Sequence, residues 1–512
     1  MIPSSPVRHR VIAAGLLAAF LSALDTTILS TVMPTVASEL GGLSLYSWVF
    51  AVYMVMAAVS MPIWGKLSDL LGKKRLFIAA VALFLAGSML CGLSRSMMQL
   101  ILFRGLQGIG AGGLSSVPFA MISTYYPPHE RGKAMGILSS AWGISSVIGP
   151  ALGSAVVTAL SWPWVFYINL PLGATAIALV ARYHADPHIR TKEPVDYAGA
   201  FLMTGTILSL LLTARSLGQG GWNWGVAVQG SVVVAFLVGF IAGERGAKNP
   251  ILALQFFSQR SFWLGNLLGF LASFAMYSII AFMPLFAQSV LGGTAVQAGL
   301  VITPMSLAWS AASIIAGRLV PRAGENALIR AGMICMVAGL GLLLFTHYDS
   351  PLWYLIVCVV LAGVGMGCQT PSLMLSVQQS LSQKDLGVAT STQMLARTIG
   401  GAIGVSILGA VLTGTMMGDL AEGVARGTFD LPRHLAPMIF DPQKLLAADV
   451  RSQLSQVQLT FVLTAFTDAL HRVVLGGLIV VVVAFVLARF LPPSSLHNRP
   501  PLTSFRRRDT LH

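Results

Sequence analysis

LDTTILSTVMP, residues 24–34, carries a carboxylate, Asp25, inside a long apolar run from Val11 to Pro34. Crossing a bilayer takes roughly 20 mostly apolar residues. An acid at that depth costs about 2.5–3.5 kcal/mol or more, so such residues are rare and usually functional. A second charge, Arg104, lies in another apolar run, ILFRGLQGIGAGG (101–113). One acid and one guanidinium in hydrocarbon point to a membrane machine that moves protons or solutes.

The composition agrees. The 512 residues are 55% hydrophobic and 10% charged, where a soluble domain is about 25% charged. Mean hydropathy is +0.78. The 52 glycines supply small residues for close helix packing. A net charge of +14 raises nucleic acid as a partner, but the Lys and Arg residues cluster in short loops between apolar runs, as the positive-inside rule expects. Cys91, Cys335, Cys358 and Cys368 fall inside apolar segments without paired spacing. They read as small core residues, not as a disulfide frame or a metal site. No cleavable signal is expected, because the stretch after Arg8 and Arg10 is too long for an h-region and contains Asp25.

Fourteen apolar segments follow one another: 11–33, 45–65, 76–94, 98–122, 134–160, 164–183, 198–216, 225–243, 263–289, 297–317, 328–346, 352–377, 388–414 and 468–490. With the N-terminus inside, Lys66, Lys73 to Arg75, Arg131, Lys133, Arg190, Lys192, Arg245, Lys248, Arg260, Arg318, Arg322, Lys384 and Arg506 to Arg508 all fall in the cytoplasm. That asymmetry predicts both termini inside. GKLSDLLG (65–72) matches GRLVPRAG (317–324), and GIGAGG (108–113) matches GVGMGC (363–368). Weak internal repeats of this kind mark transporter folds with a site between two halves. The expected organisation is an all-α polytopic membrane protein. A cytoplasmic N-terminus (1–10) leads to a six-helix half (11–183), a linker with two inserted helices (184–243) and a second half (244–490). The second half holds a long outer loop (415–466), in which DPQKLLAADVRSQL reads as a surface helix. A basic tail (491–512) closes the chain as a disordered segment suited to anionic lipid.

These stretches resemble the major facilitator superfamily, and within it the fourteen-helix drug:proton antiporters of the QacA/EmrB type. GKLSDLLGKKR (65–75) resembles the superfamily's loop between spans 2 and 3, ILFRGLQGIGAGG its span-4 motif, and GPALGS (149–154) the antiporter motif of span 5. LDTTILSTVMP resembles the span-1 motif of the fourteen-helix group, and WPWVFYINLPLG (162–173) its span-6 start. Two positions depart from the pattern: Pro163 stands where Arg is usual, and Ser154 where Gly is.

The resemblance implies roles, and each has a plainer alternative. Asp25 is a proton carrier, or else a structural partner of Arg104. Arg104 approaches span 1 and tunes protonation of Asp25, or else holds spans 1 and 4 together. Its second-half counterpart is Val359, and the region aligned with Asp25 offers Tyr277 but no acid, so coupling falls in the first half. Gly65, Asp69, Gly72, Lys73, Arg75, Glu130 and Arg131 are implied as a conformational latch, with Asp69 accepting hydrogen bonds at a helix N-terminus and the basic residues facing Glu130. Otherwise they are a solvated loop. Pro321 replaces the second-half equivalent of Asp69. Gly149, Pro150 and Gly153 are implied to pack span 5 tightly on its second-half partner, or else form a plain kink. Tyr53, Met54, Gln107, Trp142, Phe274, Tyr277, Phe282, Trp309 and Arg397 are candidate lining of a substrate cavity. Taken singly, each reads equally as core or lipid-facing, and Arg397 as a packing residue.

GIGAGG is no dinucleotide loop, since no strand precedes it. No nucleophile–base set, metal ligand spacing or cofactor motif is present, so the expectation is a transporter and not an enzyme. The reading is a proton-coupled efflux antiporter in the cytoplasmic (inner) membrane. Its partners are protons, lipid and an amphiphilic small molecule, with a periplasmic adaptor left open and no nucleic acid. The alternatives are a dedicated metabolite exporter or proton symporter, and, in another class, a non-transporting sensor or scaffold.

Overall fold

In a computed structural model, residues 5–40, 45–183, 196–220, 223–247, 250, 252, 254–289, 295–426 and 453–493 are described. The predicted surface helix, the basic tail and the linker residues Arg190, Lys192 and Lys248 lie outside them. No strand occurs among the described residues. Helices satisfy their own backbone polar groups, which is the condition for crossing hydrocarbon.

The first set of helices is α1 (Ser5–Leu40), α2 (Tyr46–Leu71), α3 (Lys73–Gly92), α4 (Met97–Tyr125), α5 (Pro128–Ala159), the short α6 (Trp164–Tyr167) and α7 (Asn169–Tyr183). Next come α8 (Tyr197–Gly220) and α9 (Trp224–Gly246). The second set is α10 (Arg260–Ser289), α11 (Ala295–Ala323), α12 (Glu325–Leu343), α13 (Leu352–Gln379), α14 (Leu386–Ala425) and α15 (Gln456–Ala488). Among the described residues, 11 helices are long and apolar enough to cross a membrane, or 12 if the two parts of α5, bent by 45°, count as one span. α4 and α11, of 29 residues each, pack among them.

The internal repeat is visible in the backbone. Gly72 (φ 93°) and Gly324 (φ 76°), the last residues of the two matched stretches, are the positive-φ residues of the described chain. Both turn the chain sharply from one helix into the next, in a conformation that a Cβ disfavours. Gly108 and Gly112 bring α4 against the carbonyls of Tyr53 and Ala57 on α2. At the matched positions Gly363 and Gly367 bring α13 against those of Met305 and Trp309 on α11. α8 and α9 lie beside this pair of sets, with Met203, Ile207, Leu211 and Phe240 against Ala58 and Val59 of α2 and Leu395 and Ile399 of α14.

The two sets meet at the end of the bundle that carries Asp69. Along α5, a Cβ on Gly132 would lie 2.7 Å from the Gly317 oxygen, and Gly136 is pressed on the Ser313 backbone of α11. Ser310 donates to the Ser140 carbonyl at 3.3 Å. Beside this seam, Gly65 of α2 sits 2.6 Å, Cβ to oxygen, from Gly387 of α14, and the Ser123 and Gln378 side chains hydrogen-bond.

One expected boundary shifts. The outer loop predicted at 415–466 is helical at both margins: α14 continues to Ala425 and α15 begins at Gln456. Met416 and Leu420 on one and Val462 and Phe466 on the other join the second set's core, so apolar contact extends the helices where hydropathy had ended them. Ser455 then starts α15 with a capping box to Gln458.

Candidate functional site

Asp25 sits midway along α1, 3% exposed, and Arg104 faces it from α4 with no exposure at all. Arg104 Nη1 donates to Asp25 Oδ2 at 2.6 Å and to Gln107 Oε1 at 2.8 Å. Gln107 Nε2 donates back to Asp25 Oδ1 at 2.8 Å. The spacing from Arg104 to Gln107 puts both on one face of α4. Asn169, at the start of α7, donates from Nδ2 to the same Oδ1 at 3.2 Å and to Ser88 Oγ at 3.0 Å. Ser88 in turn donates to the Phe166 carbonyl at 2.8 Å. The Arg104 guanidinium lies 3.9 Å from the centre of the Tyr53 ring, while its Nε and Nη2 have no hydrogen-bond partner among the described residues. Every oxygen of this acid is thus held, whereas part of its cation is not. Removing one partner of so buried a pair costs about 3–5 kcal/mol, so cluster and helix packing stand together.

The sequence reading set Arg104 near Asp25 by resemblance, and the two side chains are in contact. It placed Gln107 and Tyr53 in a substrate cavity, and there the structure differs: both belong to the Asp25 cluster, behind the cavity wall. It also missed Asn169 and Ser88. An amide in the apolar stretch WPWVFYINLPLG was the available signal.

Between the two sets lies a narrow cavity of about 90 Å³. Trp142, Tyr277, Trp309 and Arg397 line it as expected, with Ser22 and Ser139 beside them. Met54 instead points outward and is 53% exposed, and Phe282 is buried in the core of the second set, against which Phe274 packs. Helix phase explains these misses: each is apolar and near the right depth, but on another face. Ser22 links the cavity to the cluster, lying 3.4 Å from the Tyr53 hydroxyl.

At the joined end, Asp69 accepts from the Gly387 and Val388 backbone N–H groups, both at 3.0 Å. These begin α14, so the carboxylate caps a helix of the opposite set. Lys73, one turn on, bonds Asp69 at 3.0 Å, with side chains 4% and 5% exposed. Lys73 therefore answers Asp69 and not Glu130. Lys74 donates to the Ala181 carbonyl, Arg131 to that of Tyr126, and Arg75 is exposed. Gly72 makes the turn and Gly65 the contact.

The motif at Gly149 also packs differently from expectation. Gly149 abuts the Thr27 side chain of α1, within its own set. Thr27 donates to the Ser145 carbonyl of α5 at 3.1 Å, half a turn from Asp25. Close contact with the second set falls to Gly132, Gly136 and Gly143, earlier in α5. Gly153 is buried, and α5 bends at Pro150.

The family description "Major Facilitator Superfamily" matches residues 15–405. The chain belongs to that superfamily. It is 35% identical to the multidrug transporter protein MdtP of Bacillus subtilis (strain 168), over 96% of this chain and 94% of that one. It is 33% identical to multidrug resistance protein 3 of the same organism, over 96% and 97%. Among solved structures, the human organic anion transporter MFSD10 (TETRAN) has a TM-score of 0.62 at 15% identity, covering 93% of this chain and 99% of its own. The proton:xylose symporter XylE has 0.61 at 14%, covering 96% and 97%. These likenesses carry the fold.

As a member of the superfamily the protein is a multi-pass transporter of the cell membrane and not an enzyme. These two Bacillus relatives are matched over nearly their whole length, and the fourteen-helix drug:proton antiporter type is consistent with them. Among the described residues, no group of His, Cys, Asp and Glu is arranged to hold a metal ion.

Proposed function

We propose that this transporter is a proton-coupled antiporter that exports amphiphilic small molecules, built from fourteen spans with both termini in the cytoplasm. The observation that carries the proposal is the closed cluster of Asp25, Arg104, Gln107 and Asn169. An acid buried at this depth, held by three donors on two helices, is costly, and carrying a proton gives that cost a purpose. A proton arriving on Asp25 cancels the charge that faces Arg104. Arg104 then loses its counter-charge, and Gln107 and Asn169 keep only the weaker acceptor of a neutral carboxyl, which loosens α4 and α7 from α1. The Tyr53 ring under Arg104 and the Tyr53–Ser22 contact transmit that release to the cavity.

Asp69 acts as the latch. With the charge rule applied, its end faces the cytoplasm, so capping α14 closes the bundle on that side and the state described is outward-facing. The cavity is too small in this state for a drug-sized ligand, which needs roughly 300–1,000 Å³, so the sets must part to load one. Proton and substrate each bias a rocking equilibrium between two states. One entering proton supplies about 2.3 kcal/mol per 100 mV and about 1.4 kcal/mol per pH unit.

Proteoliposomes with an imposed pH gradient test this. Efflux of an aromatic amphiphile should rise with the gradient in the wild type and be insensitive to it in Asp25→Asn. Equal gradient-driven efflux by the two proteins defeats the proposal.

A further inference from the structure

Arg397 of α14 has no ion-pair partner among the described residues, and it lines the cavity between the two sets of helices. Gly400 and Gly404 press α14 onto the Phe270 and Phe274 backbone of α10, and Gly269 leaves room for the Arg397 stem. The stem crosses α10 there, and the half-buried head reaches the cavity. The guanidinium stands 5.9 Å from the Trp309 ring. Trp309 Nε1 is buried without a hydrogen-bond partner among the described residues. Among the described residues, the cavity lining includes no carboxylate.

A cation in a low-dielectric site keeps its charge only with a counter-charge or water nearby. Arg104 solves this with Asp25; Arg397 has no such neighbour. One charged, planar donor group without an ion-pair partner among the described residues faces a space walled by Trp142, Tyr277 and Trp309. A planar guanidinium matches a carboxylate in two-point geometry, and the indole walls suit an aromatic body.

We infer that the cavity is a subsite for amphiphilic aromatic anions, with Arg397 as the counter-ion of a substrate carboxylate. The inference takes the transporter reading as given and names its substrate class. It has a consequence for energetics. Exchange of one entering proton for one leaving monoanion moves two positive charges inward per cycle, whereas a neutral substrate moves one and a monocation none. The membrane potential then drives export doubly.

Three probes with one body separate the outcomes: pyrenebutyrate, pyrenebutyramide and pyrenebutylammonium. Pyrene fluorescence reports binding to the purified full-length protein in nanodiscs. The wild type should bind the anion about tenfold or more tighter than the amide or the ammonium. Arg397→Gln should bring all three within about twofold of one another, and Arg397→Lys should keep part of the preference. Gradient-driven efflux of the neutral pyrenebutyramide by the wild type reports proton coupling without anion recognition, so failures of the two are read separately. The inference is overturned if the ammonium binds as tightly as the anion, if none of the probes binds, or if Arg397→Gln weakens all three equally. The wild-type comparison of acid with amide needs no variant and stands even where Arg397→Gln fails to fold.

Discussion

The first and second sets of helices share a backbone plan and divide the chemistry between them. Gly72 and Gly324 make the same turn, and Gly108 and Gly112 approach α2 as Gly363 and Gly367 approach α11. Yet Arg104 of α4 corresponds to Val359 of α13, which is buried in aliphatic core beside Cys358 and Met366. Asp69 corresponds to Pro321, inside α11. Close helix approach is needed in both copies, because each must pack a bundle in lipid where small residues set the distance. A buried charge is costly, and the proposed mechanism needs one proton site, so a second copy brings cost without function. The second set instead carries Arg397, a charge facing the shared cavity and not a partner of its own.

The largest effect that would sharpen this division is at Asp25. Asp25→Asn should lower gradient-driven efflux by about a hundredfold or more, the range expected when a proton-transfer group is lost, while amphiphile binding persists. Efflux against pH at matched membrane levels checks it.

Next comes the vacant second copy. Val359→Arg recreates the charge of Arg104 without an acid opposite it. The protein should lose about 3–5 kcal/mol, as for an uncompensated buried charge. Thermal unfolding in detergent and the monodisperse fraction report this; a wild-type melting temperature would show that the second core accepts a cation and would erase the contrast.

Asp69→Asn keeps an acceptor but removes the charge that caps α14 and pairs with Lys73. A loss of about 1.5–3 kcal/mol of latch strength follows from hydrogen bonds to charged groups. We expect efflux roughly tenfold slower at equal expression, with no recovery when Pro321→Asp is added, since the helix start beside α11 is that of α5, and an acid there leaves α14 uncapped. Recovery by that second change would mean the two loops are interchangeable.

The smallest effect separates two parts of α5. Gly149→Ala crowds Thr27 and should cost about 1 kcal/mol, shifting α1 and with it the pH dependence of transport. Gly136→Val wedges the seam with α11 and should slow alternation more, with less effect on pH dependence. Efflux rate and pH profile, measured on both variants, tell whether the Gly149 stretch serves the proton site or the seam.

Much of this was open to reading before any coordinates. The polytopic all-α class follows from a chain that is 55% hydrophobic and 10% charged, because a bilayer penalises charge at every depth. The repeat follows from glycine spacing. The approach of Arg104 to Asp25 was implied by the resemblance of their two motifs. Their side-chain company did not come through. Gln107 and Tyr53 read as cavity residues because hydropathy gives depth, not the face of a helix. Asn169 went unread because an amide costs too little to stand out beside a charge.

The sequence by itself determined that this chain lives in a membrane, that it is built from two related sets of helices, and which ionisable residues are too costly to be accidental. Tertiary structure alone decided that Asp69 caps α14 of the opposite set, that Gly149 packs on α1 and not α11, and that Arg397 faces the cavity with no acid beside it among the described residues. The physical reason is range. Burial in lipid is a property of each residue and is written locally, whereas a hydrogen bond from Gly387 to Asp69 joins positions whose distance depends on how every helix between them packs.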